Sequence, residues 1–267
     1  MKTGIAEVNG TKLYYELTGE GPPLVLLSGG GCLDCRGWDD QFQAFAKDYQ
    51  VIRYDVRGIG KSEMPEAPFS HVQDLYSLLN FLQIEQTFLL GLSFGGAVAI
   101  DFTLEYPKRV KALVLAAPGL SSLLDEVRQA LAVLALAARE EDVSRAIQNI
   151  LATPYFVSPE NTAARQKVQE LISANGHVFH ANFPFVNLMQ PPERPVMDRL
   201  SEIHVPTLIL VGSLERPSVR AISDWLETHI DGARKVVIAN AGRMMNLEKP
   251  EEFNRVVREF LHEQRAA

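Results

Sequence analysis

Gly91-Leu92-Ser93-Phe94-Gly95 sets a hydroxyl between two glycines, directly after an apolar run and directly before a run of small residues. That order predicts a strand, a sharp turn and a helix. The turn forces Ser93 into a strained conformation with its hydroxyl exposed, and the flanking glycines let neighbouring backbone approach closely. The positive end of the helix then points at the same place. This is the setting of a serine nucleophile. A second glycine cluster, Ser28-Gly29-Gly30-Gly31, ends an earlier apolar run. Amides at such a strand end face a ligand, so those of Gly30 and Phe94 are the candidate oxyanion hole.

Other motifs carry less. Residues 55–62, DVRGIGKS, end like a phosphate-binding loop, but that loop requires glycine where Asp55 stands, and Pro65 and Pro68 follow closely. Cys32 and Cys35 form a C-x-x-C pair with no second pair to complete a zinc site, and read as small loop residues. No G-x-G-x-x-G is present. We therefore expect neither metal nor cofactor.

The elements that must hold these residues follow from hydrophobic spacing. Stretches 5–9 and 11–18 alternate and are joined by Asn-Gly, which predicts a hairpin. Strands are expected at 23–29, 50–56, 86–93, 111–119, 206–213 and 233–241. Helices are expected at 38–49, 74–84, 95–107, 219–230 and 250–264. Strands alternating with helices specify an α/β fold with a mostly parallel sheet covered on both faces. The alternation breaks at 120–200, an Ala- and Leu-rich stretch that closes with several prolines. We expect a core of 1–119 and 201–267, and a helical cap over 120–200 inserted between the sixth and seventh strands.

The chain has 267 residues, a net charge of −7, 46% hydrophobic and 22% charged residues. The length suits one α/β domain with an insertion. The acidic balance argues against nucleic acid as a partner. No run is long and apolar enough to span a membrane, and the first residues lack an apolar signal region, so a cytoplasmic protein is expected. The expected partner is a small molecule, and the assembly a monomer or homodimer.

With the glycine loop at 28–31, RYDVRGIGKS at 53–62, LLGLSFGG at 89–96, PTLILVGSLERPS at 206–218 and NAGRMMNLEKPEEFN at 240–254, the chain resembles the α/β-hydrolase superfamily. The likeness is to its small esterase, lactonase and proline-iminopeptidase-like branch. The resemblance covers nearly the whole chain. It implies an α/β-hydrolase fold with a small-molecule pocket under a cap, Ser93 as nucleophile and Glu215 as the acid. It also implies a histidine where this chain has Arg243. Two smaller departures are Ser28-Gly29 where the family usually has His-Gly, and glutamate for aspartate at 215.

The departure at 243 bears on mechanism. A triad histidine accepts the serine proton and returns it to the leaving group. Arginine stays protonated and has no acceptor atom. The expectation is a salt bridge from Arg243 to Glu215, with a second possible task of holding a substrate carboxylate or a developing oxyanion. Six histidines are candidates for a replacement base. His204, His229 and His262 read as surface or strand-flanking, and His71 as structural. His177 and His180 lie among Phe179, Phe183 and Phe185, where they and the phenylalanines are candidates to line the pocket beside Ser28 and Gly31. Three functions stay open: a serine hydrolase or acyltransferase with weak ordinary activity on an ester, lactone or amide; a non-hydrolytic lyase, isomerase or cyclase using Arg243 electrostatically; and a pseudoenzyme that binds a small ligand.

Overall fold

The computed structural model describes residues 1–29, 33–121, 148, 151–153, 155–177 and 187–265. The chain opens with the hairpin that Asn9-Gly10 encodes. Both residues take positive φ, 47° and 68°, the turn geometry that matches the twist of β1 (Lys2–Val8) and β2 (Thr11–Thr18). The other strands are β3 (Pro23–Leu27), β4 (Gln50–Tyr54), β5 (Thr87–Leu92), β6 (Val110–Ala116), β7 (Thr207–Gly212) and β8 (Arg234–Ile238). They form one eight-stranded sheet in the order β1-β2-β4-β3-β5-β6-β7-β8. Strand β2 is antiparallel to both β1 and β4, and every pairing from β4 to β8 is parallel.

Alternate strand residues serve opposite faces. Leu24, Leu26, Leu90, Val114 and Leu210 pack on one side against α1 (Asp39–Phe45) and α7 (Pro250–Glu263) through Phe42, Phe45, Phe253 and Leu261. Val25, Leu27, Leu89, Leu113, Leu115 and Ile209 pack on the other, against α2 (His71–Phe81), α3 (Phe94–Glu105) and α5 (Pro217–His229) through Leu75, Leu78, Ile100 and Leu226. Because both faces are covered, β5 and β7 are buried along their full length and read as unbroken apolar runs.

Element ends differ from the sequence reading at the carboxyl edge of the sheet. The runs at 111–119 and 233–241 continue past their strands, because Ala117 and Asn240 turn the backbone into positive φ, 42° and 53°. The helix expected from 38 starts earlier, as a 3-10 turn at Cys35–Trp38 whose Asp34 cap accepts the Arg36 amide. Helix α2 begins at His71, three residues ahead of its apolar pattern.

Nearly half of the cap expected over 120–200 falls outside the described residues. Within them, α4 (Thr162–Ala174) buries Val168, Leu171 and Ile172 against the α1 side of the sheet. Lys167 pairs with Asp39 at 2.6 Å, and Asn175 donates to Asp34 (2.8 Å) and accepts from the Gly60 amide (2.8 Å). Farther on, Met189 bridges to Phe69, just ahead of α2.

Candidate functional site

Ser93 sits between β5 and α3 with φ 51° and ψ −111°. A side chain held there costs about 1–3 kcal/mol, so the surroundings must enforce it. They do. The Ser93 amide donates to the Ala116 carbonyl (2.8 Å), and the amides of Ala97 and Gly119 donate to the Ser93 carbonyl (3.2 and 2.9 Å). A Cβ at Gly91 would collide with the Gly95 carbonyl, and one at Gly95 with the carbonyls of Leu27 and Ser28. The two glycines of the motif are therefore the residues over which β5, α3 and the end of β3 close. The Ser93 hydroxyl is half-buried and makes no hydrogen bond among the described residues.

Phe94 opens the first turn of α3, and its ring meets His71 edge-on at 5.1 Å; His71 meets Phe69 the same way at 4.9 Å. His71 is buried with its Nδ1 unpartnered, and burial pushes its imidazole down to about 4, so it is neutral at neutral pH. Ser28 is buried, and its hydroxyl donates to the Asp34 carbonyl at 3.3 Å. Gly30, Gly31, Phe179, His180 and Phe183 lie outside the described residues. His177 is exposed, two residues beyond the Asn175 that caps α4. Of the other histidines, His204, His229 and His262 are exposed.

Glu215 follows β7 and its side chain is wholly buried. Its amide donates to the Gly212 carbonyl, and Oε1 accepts the Arg216 amide at 2.8 Å. Arg243 follows β8 and meets both carboxylate oxygens: Nε donates to Oε2 at 2.9 Å and Nη2 to Oε1 at 3.2 Å. The expected salt bridge is therefore present as a two-pronged pair. Its Nη1 has no partner among the described residues, and 22% of the Arg243 side chain is exposed. Ser93, Glu215 and Arg243 thus follow the ends of three strands of the parallel set and share the carboxyl edge of one sheet.

Two features that sequence reading missed hold the Arg243 turn. The carbonyls of Tyr155 and Phe156 accept the amides of Arg243 (2.9 Å) and Met244 (3.1 Å). Glu248, in the short helix α6 (Met245–Glu248), accepts the amides of Gly242 and Ser158, each at 2.8 Å. Burial pushes the Glu248 carboxyl above its ordinary range despite those bonds. The only local signal was a glutamate just ahead of Lys-Pro, and its partners lie up to 90 residues away.

Cys35 is buried and burial pushes its thiol up; Cys32 is outside the described residues. Asp55, the residue that spoils the phosphate-loop match, accepts the amides of Cys35 (2.8 Å) and Lys61 (2.9 Å). That stretch folds around its own carboxylate. Among the described residues no group of three or more His, Cys, Asp or Glu is placed to hold a metal, and no helix is long and apolar enough to cross a membrane.

Comparison with known proteins places this geometry in company. The sequence model of the alpha/beta hydrolase family matches residues 24–256. The 2-hydroxy-6-oxononadienedioate/2-hydroxy-6-oxononatrienedioate hydrolase of Burkholderia vietnamiensis is 30% identical, over 95% of this chain and 92% of that protein. The 3-oxoadipate enol-lactonase 2 of Acinetobacter baylyi is 28% identical, over 82% and 81%. Among solved structures, Est816, an N-acyl homoserine lactone degrading enzyme, superimposes with a TM-score of 0.78 at 30% identity, covering 96% of this chain and 100% of the other.

Proposed function

The chain belongs to the alpha/beta hydrolase family, and from that premise we propose that it acts on a small, partly apolar carbonyl compound, an ester, lactone or amide, through Ser93. Relatives named as lactonases and as hydrolases of unsaturated oxo-acids support that substrate range. In the acylation step the Ser93 oxygen bonds to the carbonyl carbon, the carbonyl oxygen becomes an oxyanion, and the hydroxyl proton must leave to a base. In this reading Arg243 occupies the base's place, and a guanidinium accepts no proton. The observation that carries the reading is the pair itself. Both oxygens of Glu215 are taken by Arg243, so the acid of the family pattern neutralises a fixed cation instead of orienting an imidazole. Ordinary hydrolysis is accordingly weak; loss of a triad histidine costs about 10⁶ in turnover where it has been measured.

The same pair supports a second reading. A fixed cation at the same sheet edge as a strained serine suits electrostatic stabilisation of a developing anion without acylation, as a lyase, isomerase or cyclase would use, or ligand binding without turnover. Labelling with a fluorophosphonate probe separates the readings. The unmodified protein and Ser93→Ala should label negligibly. Arg243→His should label faster by about 10²–10⁴, the usual contribution of a positioned general base. Rapid, Ser93-dependent labelling of the unmodified protein would show that another group serves as base and would sink the proposal.

A further inference from the structure

The segments that follow β7 and β8 carry Arg216, Arg220 and Arg243. The chain carries −7 overall. Two acids at this edge are buried: Glu215 is spent on Arg243, and Glu248 on the amides of Gly242 and Ser158. Arg216 and Arg220, in and just before the first turn of α5, are exposed and have no acidic partner among the described residues. The position of Arg216 is tied to Arg243. The Arg216 amide and Arg243 Nη2 donate to the same oxygen, Glu215 Oε1, at 2.8 and 3.2 Å. Tyr155 lies 6.0 Å beneath the Arg216 guanidinium, and its carbonyl accepts the Arg243 amide. Arg243 is thus paired with Glu215, while the guanidinium groups of Arg216 and Arg220 have no ion-pair partner among the described residues.

The donors and the apolar surface suit one kind of ligand. Arg243 spends Nε and one Nη2 proton on Glu215, which leaves both Nη1 protons and one on Nη2. That remaining edge is the planar fork that matches a carboxylate. Glu215 fixes the guanidinium in place, so little side-chain freedom is lost when a ligand binds. Tyr155 and Leu214, 40% and 37% exposed, add apolar surface beside the cations. We infer that this edge is an anion subsite, in which Arg243 takes the carboxylate of an apolar carboxylic acid while Arg216 and Arg220 draw it in from solvent. The inference rests on the proposed function only in assigning that acid as the substrate; the subsite itself does not depend on Ser93 chemistry.

The test is direct binding, by calorimetry, of phenylacetate and its neutral isostere phenylacetamide, with inorganic phosphate as a control. The acid should bind at least about tenfold more tightly than the amide, as expected when a charge-assisted pair replaces a neutral bond. High salt should weaken the acid and not the amide. Ser93→Ala should retain the preference, so a failed labelling experiment and a failed subsite are told apart. Arg216→Gln/Arg220→Gln, both at exposed positions, should reduce the salt dependence. Glu215→Gln/Arg243→Gln removes both charges without leaving one unpaired, and should abolish the preference; Arg243→Lys, which keeps the charge and loses the fork, should weaken it. Equal binding of acid and amide by the unmodified protein overturns the inference. So does an absence of acid binding, an acid preference that survives Glu215→Gln/Arg243→Gln, or phosphate binding tighter than the acid.

Discussion

Glu215 and Arg243 behave as a unit, and the energetics of the pair differ from those of its halves. The Glu215 side chain is wholly buried, while 22% of Arg243 is exposed. Arg243→Ala therefore strands a carboxylate in the interior, and chemical denaturation should show a loss of about 3 kcal/mol, at the low end for a broken buried pair because of that exposure. Glu215→Gln/Arg243→Gln should cost clearly less. An equal loss for the two variants would mean that Arg243 contributes packing rather than charge. This pair was legible in the sequence, because the match of motifs pairs 215 with 243. Glu248 and the Tyr155–Phe156 carbonyls were not legible. Their bonds join residues far apart in the chain, and a backbone carbonyl leaves no trace in residue identity.

At the scale of elements, the site depends on how closely loops cross strand ends. A Cβ at Gly212 would collide with the carbonyls of Ala241 and Gly242, the turn that carries Arg243. Gly212→Ala should thus cost about 1–3 kcal/mol, the order seen for forced overpacking. It should also weaken phenylacetate more than phenylacetamide, because the collision displaces the Arg243 turn. Unchanged stability in calorimetry would show that the crossing is looser than described. The strands and long helices were readable because each spans several periods of its own pattern, and the hairpin because Asn-Gly is among the few pairs that tolerate two positive φ values. Helix α6 and the 3-10 turn at Cys35–Trp38 are four residues each, too short for any period to show. Strand ends were overread wherever apolar residues continue into a turn, since burial and not extension keeps Ala117 apolar.

For the molecule as a whole, two buried groups give stability opposite pH dependences. Burial pushes the Asp101 carboxyl up to about 7; the hydrogen bond from Ser121 lowers it, Glu105 raises it and Arg199 lowers it. Between its ordinary value of 3.8 and about 7, the folded chain keeps a proton that the unfolded chain has released, so stability falls as pH rises through that window. His71 acts in reverse. Its folded value near 4 lies below the ordinary 6.5, so stability is lost as pH falls from about 6.5 toward 4. Asp101→Asn should raise the Tm at about pH 8 and change it little at about pH 4, and should expose the His71 slope between them. A Tm difference independent of pH would refute this assignment. The break in the strand–helix alternation at 120–200 is plain in the sequence, but an Ala- and Leu-rich stretch does not specify how it packs. The sheet also has a temporal side. Gln41 in α1 bonds Asn246 and Asn254 across 205 and 213 residues, and Phe253, Val257 and Leu261 of α7 complete the face that α1 begins. On a ribosome adding about 5–20 residues per second, α1 waits on the order of ten to forty seconds for those partners. Until α7 emerges, the part of that face which Phe253, Val257 and Leu261 cover stays open apolar surface, even after α1 and α4 have been made.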